Sequence, residues 1–141
     1  MLARLLVSAS SLIMLLLGGI HLLYTFMDDK IVPRDPAVRE AMNATTLALT
    51  SQTTVWRAWI GFNASHSLCA LFFGLLFGFL ALAHSGLLFG SAFLQLLGVA
   101  VLIGFVVLAR LYWFSVPFAG VSLALACFVA GLLVAQFSSR A

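Results

Sequence analysis

Acidic residues are scarce in this 141-residue chain: there are four, against seven Lys and Arg, giving a net charge of +3. All four (Asp28, Asp29, Asp35 and Glu40) sit in one short segment, so no carboxylate relay is available elsewhere. Only 8% of residues are charged, far below the roughly 25% of a soluble globule. The seven basic residues are dispersed, which excludes a nucleic-acid footprint. The two cysteines, Cys69 and Cys127, form neither a CxxC nor a CxxH pattern, which argues against zinc. They are read as small packing residues, with a disulfide between them left open. Of the three prolines, Pro33 and Pro36 share the acidic segment and Pro117 stands alone.

What is abundant is apolar: 64% of the chain, with a mean hydropathy of +1.19. Runs free of Asp, Glu, Lys and Arg occupy 5–27, 58–83, 87–109 and 111–137. A hydrocarbon core about 30 Å thick needs roughly 20 residues of helix. Every run clears that length. The expected fold is therefore an all-α integral membrane four-helix bundle, with spans at about 5–27, 55–83, 87–109 and 111–137, forming a single domain. The first run exceeds the about 7–15 apolar residues of a cleaved signal, and no small-residue cleavage site follows, so it is read as a retained span.

An even number of spans puts both termini on one side. The termini side holds Arg4 and Arg140; the other holds Lys30, Arg34, Arg39, Arg57 and Arg110. A bare positive-inside count places the long loop in the cytoplasm, but it shrinks to three against two if Arg57 and Arg110 serve a pocket, so the orientation stays open. Residues 84–86 make a tight turn, and Arg110 marks the next one, with Tyr112 and Trp113 as interfacial anchors. Pro117 is expected to kink or loosen the start of the last span.

The one sizeable extramembrane piece is 28–54. Asp35-Pro36 reads as a helix start, with Asp as N-cap, and predicts a short helix over about 36–42. The Thr- and Ser-rich stretch 45–54 is indeterminate between helix and extended loop. Gly74-Leu-Leu-Phe-Gly78, Gly86-Leu-Leu-Phe-Gly90 and Ala126-Cys-Phe-Val-Ala130 are small-xxx-small patterns that predict close helix contacts.

Function has to be read from the polar residues that the spans tolerate. On a helix at 100° per residue, Trp59, Asn63 and His66 share one narrow stripe, with Trp56 and Ser67 at its edges. His21, Thr25 and Asp28 share a face of the first span, and Tyr24 flanks it. His21 lies about 10 Å below Asp28, and His66 about 13 Å below Arg57, so the two imidazoles have matched depth. Ionisable groups in hydrocarbon cost about 2.5 kcal/mol or more and normally face the bundle interior with a partner. His21, Tyr24, Thr25, Asn63, His66 and Ser67 are expected to form one cluster, rimmed by Asp28, Arg57 and Arg110. Gln95 and Ser122 are possible contributors from the other half of the chain.

Three readings are open at this point. The polar groups satisfy one another and lock the helices together. Or they line a pocket for a quinone, lipid or sterol-like molecule, with Tyr24, Trp56, Trp59 and Trp113 as walls and Arg57, Asn63 and His66 as anchors. Or His21 and His66 serve redox or acid–base chemistry, as axial ligands of a haem b or as proton carriers for a quinone, with Gly18, Gly19 and Gly61 opening room. No other metal site is expected, and no catalytic residue is assigned. His84 reads as a solvated turn residue. A further class is an accessory subunit of a larger membrane complex, or a homo-oligomer, using apolar faces such as Phe72, Phe73 and Phe77.

The motif Trp-Arg-Ala-Trp-Ile-Gly-Phe-Asn-Ala-Ser-His-Ser, with Gly-Gly-Ile-His upstream, resembles a family of small four-span bacterial membrane proteins of unassigned function. The plan of four helices with a longer first loop is also similar to the DoxX-like and anthrone-oxygenase-like group. That resemblance implies a bacterial inner-membrane location and an association with oxidative metabolism or a larger redox enzyme. It carries over no catalytic residue.

Overall fold

Residues 1–138 are described by a computed structural model of the chain, and Arg140 lies outside them. Helix α1 is Leu2–Met27, α2 Pro36–Ala44, α3 Val55–Ala83, α4 Ser85–Gly90, α5 Ala92–Tyr112 and α6 Ser115–Ser138; strands β1 (Thr46–Leu47) and β2 (Thr50–Thr54) lie between α2 and α3. Helices α1, α3, α5 and α6 are each long and apolar enough to cross a membrane. The protein is an all-α integral membrane four-helix bundle with a short helix in its long loop. Its large apolar side chains point outward in numbers that water would not tolerate: Phe72, Leu75, Phe79, Phe93 and Leu96 are all more than half exposed.

Contacts divide the chain into two compact units: Met1–Leu17 with Ala70–Ala141, and Gly18–Cys69. The first contains segments of all four long helices. Its core is aromatic. Phe77 of α3 meets Phe128 of α6 edge to face, with centroids 5.1 Å apart, and Phe73 lies against both. Val7, Met14, Leu102, Val121 and Ala124 fill in around them.

Close approach in this unit depends on glycine. A Cβ on Gly74 would stand 2.8 Å from the backbone oxygen of Ser11, and one on Gly131 3.0 Å from that of Ala3. Without a hydrophobic effect between helices, such backbone proximity is the main source of packing energy. Of the expected small-residue patterns, Gly74 is a true contact, whereas a Cβ on Gly78 would meet only ordinary van der Waals distances. Gly86 and Gly90 face open space, which corrects their reading as a helix contact. In α6 the tight glycine positions are Gly120, against Leu17, and Gly131, while Ala126 of the expected Ala126–Ala130 pair is exposed.

Two helix boundaries differ from the sequence reading. The expected third span, 87–109, is broken after Gly90. The Ser91 amide closes α4 onto the Leu87 carbonyl, and the Ser91 hydroxyl caps α5 by accepting from the Leu94 amide. Gln95 donates to the Leu88 and Phe89 carbonyls, satisfying acceptors that the break would orphan in apolar surroundings. The next turn lies at Trp113 and Phe114, not at Arg110, because α6 starts at Ser115. That start puts Pro117 in the first turn, where its missing N–H costs nothing, so no kink is needed. At the other end, Arg4 of α1 donates to Ser85 of α4.

The second unit holds the end of α1, the loop and the start of α3. Asp35 caps α2 as expected, accepting from the Ala37 amide at 2.9 Å, and the helix runs on to Ala44. The indeterminate stretch is an antiparallel hairpin pairing Thr46 with Thr54 and Leu47 with Thr50, in keeping with its β-branched threonines. Cys69 and Cys127 are both free thiols.

Two stability tests follow. Gly74→Ala should destabilise the detergent-solubilised protein by about 1–3 kcal/mol through overpacking, whereas Gly78→Ala should be nearly neutral in the same denaturant titration. The hydroxyls of Ser10 and Ser11 are buried with no hydrogen-bond partner among the described residues. Ser11→Ala should therefore leave stability unchanged or raise it by about 1 kcal/mol, and a loss of that size would show that the hydroxyl has a partner.

Candidate functional site

The polar stripes of α1 and α3 meet within the second unit. His21 Nε2 lies 3.0 Å from Asn63 Oδ1. The His66 ring meets that of His21 edge to face, with centroids 5.6 Å apart and planes at 85°. Asn63 is buried and both ends of its amide are used, since Nδ2 donates to the Trp59 carbonyl at 2.8 Å. Two hydroxyls complete the local bonding by turning back along their own helices. Thr25 donates to the His21 carbonyl at 2.8 Å, and Ser67 to the Asn63 carbonyl at 2.9 Å. Such i−4 bonds are how hydroxyls are accommodated where water is absent.

Aromatic residues border this cluster. Phe62 stacks on His66 at 6.5 Å, a neighbour one turn away that the sequence reading passed over although its i, i+4 spacing was available. Trp59 donates from its indole to the Ile31 carbonyl at 3.1 Å, tying the chain after α1 to the start of α3. The Ile31 carbonyl had no sequence signal, because any residue could supply it.

Other expected members of the site take different partners. Lys30 lies over the Tyr24 ring at 4.0 Å and pairs with Asp28 at 3.0 Å. That pairing holds the Asp28 carboxyl below the usual carboxylate range and raises the Lys30 ammonium, so Asp28 is a surface ion-pair member and not a rim ligand of the histidines. Arg39 of α2 covers the Trp56 ring at 5.1 Å. Arg57 is exposed, and its backbone amide donates to the Thr54 hydroxyl at the helix start. Gly19 and Gly61 have no atoms near their would-be Cβ positions. Each precedes a cluster residue by two positions, about 160° around its helix, so that space is not room between the histidines.

Arg110 and Trp113 belong to the first unit. There the Arg110 guanidinium lies 5.8 Å from the Phe118 ring, and Trp113 packs near Phe105. Together with Ala109, Phe114, Ser115 and Phe118 they line a cavity of about 200 Å³, with aromatic walls and one cation. Gln95 serves the α4–α5 break. His84 lies against Phe79 at 5.0 Å and is exposed.

Haem ligation would require both imidazoles to aim a bare nitrogen at one iron from opposite faces of a macrocycle. Here His21 Nε2 is engaged by Asn63 and the two rings touch, so the pair does not fit a bis-histidine haem as arranged. No cluster of three or more His, Cys, Asp or Glu able to hold a metal is found among the described residues.

Comparison with family models, with curated proteins and with solved structures gave no match to the chain.

Replacing Asn63 by Leu strips the His21 N–H of its partner inside the spans, while the Trp59 carbonyl keeps its helical backbone bond. Chemical denaturation in detergent should register a loss of about 1–3 kcal/mol, against at most about 1 kcal/mol for Thr25→Val.

Proposed function

We propose that the protein is a membrane-embedded binding protein for a hydrophobic small molecule with a hydrogen-bonding head, of the quinone or lipid kind. The observation that supports this reading most is the convergence of His21, Asn63 and His66 from two facing helices, in segments where polar side chains are otherwise few. An apolar surround with a few converging polar groups is the usual make-up of sites for such molecules. In this reading His21 and His66 anchor the head, Phe62 and Trp59 flank it, and Asn63 orients His21. The resemblance to small four-span bacterial membrane proteins extends the proposal to the inner membrane, with both termini on one side. Service to a larger redox complex, as an accessory subunit, is compatible with the broad apolar faces of the spans.

One observation favours a second reading. Asn63 gives its oxygen to His21 and one N–H to Trp59, so both ends of its amide are already held within the protein. The cluster would then be a lock holding α1 against α3. Native mass spectrometry of protein purified from its own membranes separates the two. Binding predicts a co-purifying quinone or lipid that is lost in His66→Leu with thermal stability retained. Locking predicts no retained molecule, together with a lowered melting temperature in both His66→Leu and Asn63→Leu.

A further inference from the structure

We infer that the molecule taken beside His21 carries a hydrogen-bond donor, a phenolic or alcoholic hydroxyl, and that for a quinone-type ligand the reduced form is the one preferred. The inference rests on the ligand-binding reading above and names the chemistry of its head group. It follows from a chain of obligatory roles.

The Trp59 carbonyl can only accept, so the Asn63 atom 2.8 Å from it is the amide nitrogen. That choice turns the amide oxygen toward His21 at 3.0 Å. An amide oxygen also only accepts, so the His21 Nε2 carries a proton and donates it. In the neutral imidazole that is its single N–H. The remaining nitrogen, Nδ1, is then a bare lone pair. The protein's own backbone has selected the tautomer through two hydrogen bonds, as partners of functional histidines commonly do.

Nothing described in the protein answers that lone pair. Nδ1 has no hydrogen-bond partner among the described residues, and the ring is only partly buried. The two hydroxyls flanking the cluster are committed elsewhere, Thr25 to the His21 carbonyl and Ser67 to the Asn63 carbonyl. An acceptor left without a partner in the protein favours a ligand that brings a donor. A quinone head offers only carbonyl acceptors and would set lone pair against lone pair. A hydroquinone, phenol or alcohol supplies the O–H. No electron transfer is implied; the preference is one of binding.

The test uses the full-length protein in nanodiscs and three probes: decyl-hydroquinone kept reduced under nitrogen, decyl-benzoquinone, and the di-O-methyl ether of the hydroquinone. The hydroquinone should bind about tenfold more tightly than either analogue, the worth of one hydrogen bond, and His21→Phe should abolish the difference. Equal binding of hydroquinone and quinone would overturn the inference while leaving a ligand site in place. Failure of all three probes to bind would remove the ligand-binding reading and this inference together. Nitrogen NMR of the wild-type protein labelled at histidine gives an independent check that needs no variant. A protonated-type resonance at His21 Nε2 and an unprotonated one at Nδ1 are expected; the reverse assignment sinks the argument.

Discussion

Hydrocarbon offers no hydrogen bonds, and that lack governs how polar groups are arranged in this protein. Each polar side chain within the spans must find its partner in the chain or go without. Thr25 and Ser67 turn to backbone carbonyls of their own helices, Gln95 serves the carbonyls freed at a helix break, and Asn63 bridges two helices. This accounting leaves something over in two places among the described residues, the buried hydroxyls of Ser8, Ser10 and Ser11 and the histidine cluster. His21 has two nitrogens, and the described structure answers only one.

Packing follows from the same constraint in a different form. Lipid is as apolar as leucine, so helices gain little from burying leucine against each other. The first unit instead brings backbones together at Gly74 and Gly131 and fills its centre with Phe73, Phe77 and Phe128. The long side chains of Phe72, Phe79 and Phe93 are left for the acyl chains.

Much of this was legible before any coordinates. Length and hydropathy alone give four spans, because only helices with every backbone group paired can cross. The Asp35-Pro36 helix start was equally plain, since both residues act locally. The facing of His21 and His66 followed from helical spacing and depth. What escaped depends on atoms with no sequence signature. The Ile31 carbonyl that receives Trp59 is one; the choice of Lys30 by Tyr24 and Asp28, drawing them away from the histidines, is another. The break at Gly90-Ser91 did carry a signal, a glycine followed by an N-cap serine, but the unbroken hydropathy on either side masked it. Identical spacing misled at Gly86 and Gly90, where a small-residue pattern faces empty space.

The interruption at Ser91 also sets a length. Helix α5, with its 21 residues, is about 31 Å long, close to the thickness of an average hydrocarbon layer. Joined to α4 without a break it would reach about 42 Å, close to the length of the 29-residue α3. Ser91 thus acts as a gauge that trims this segment to the bilayer.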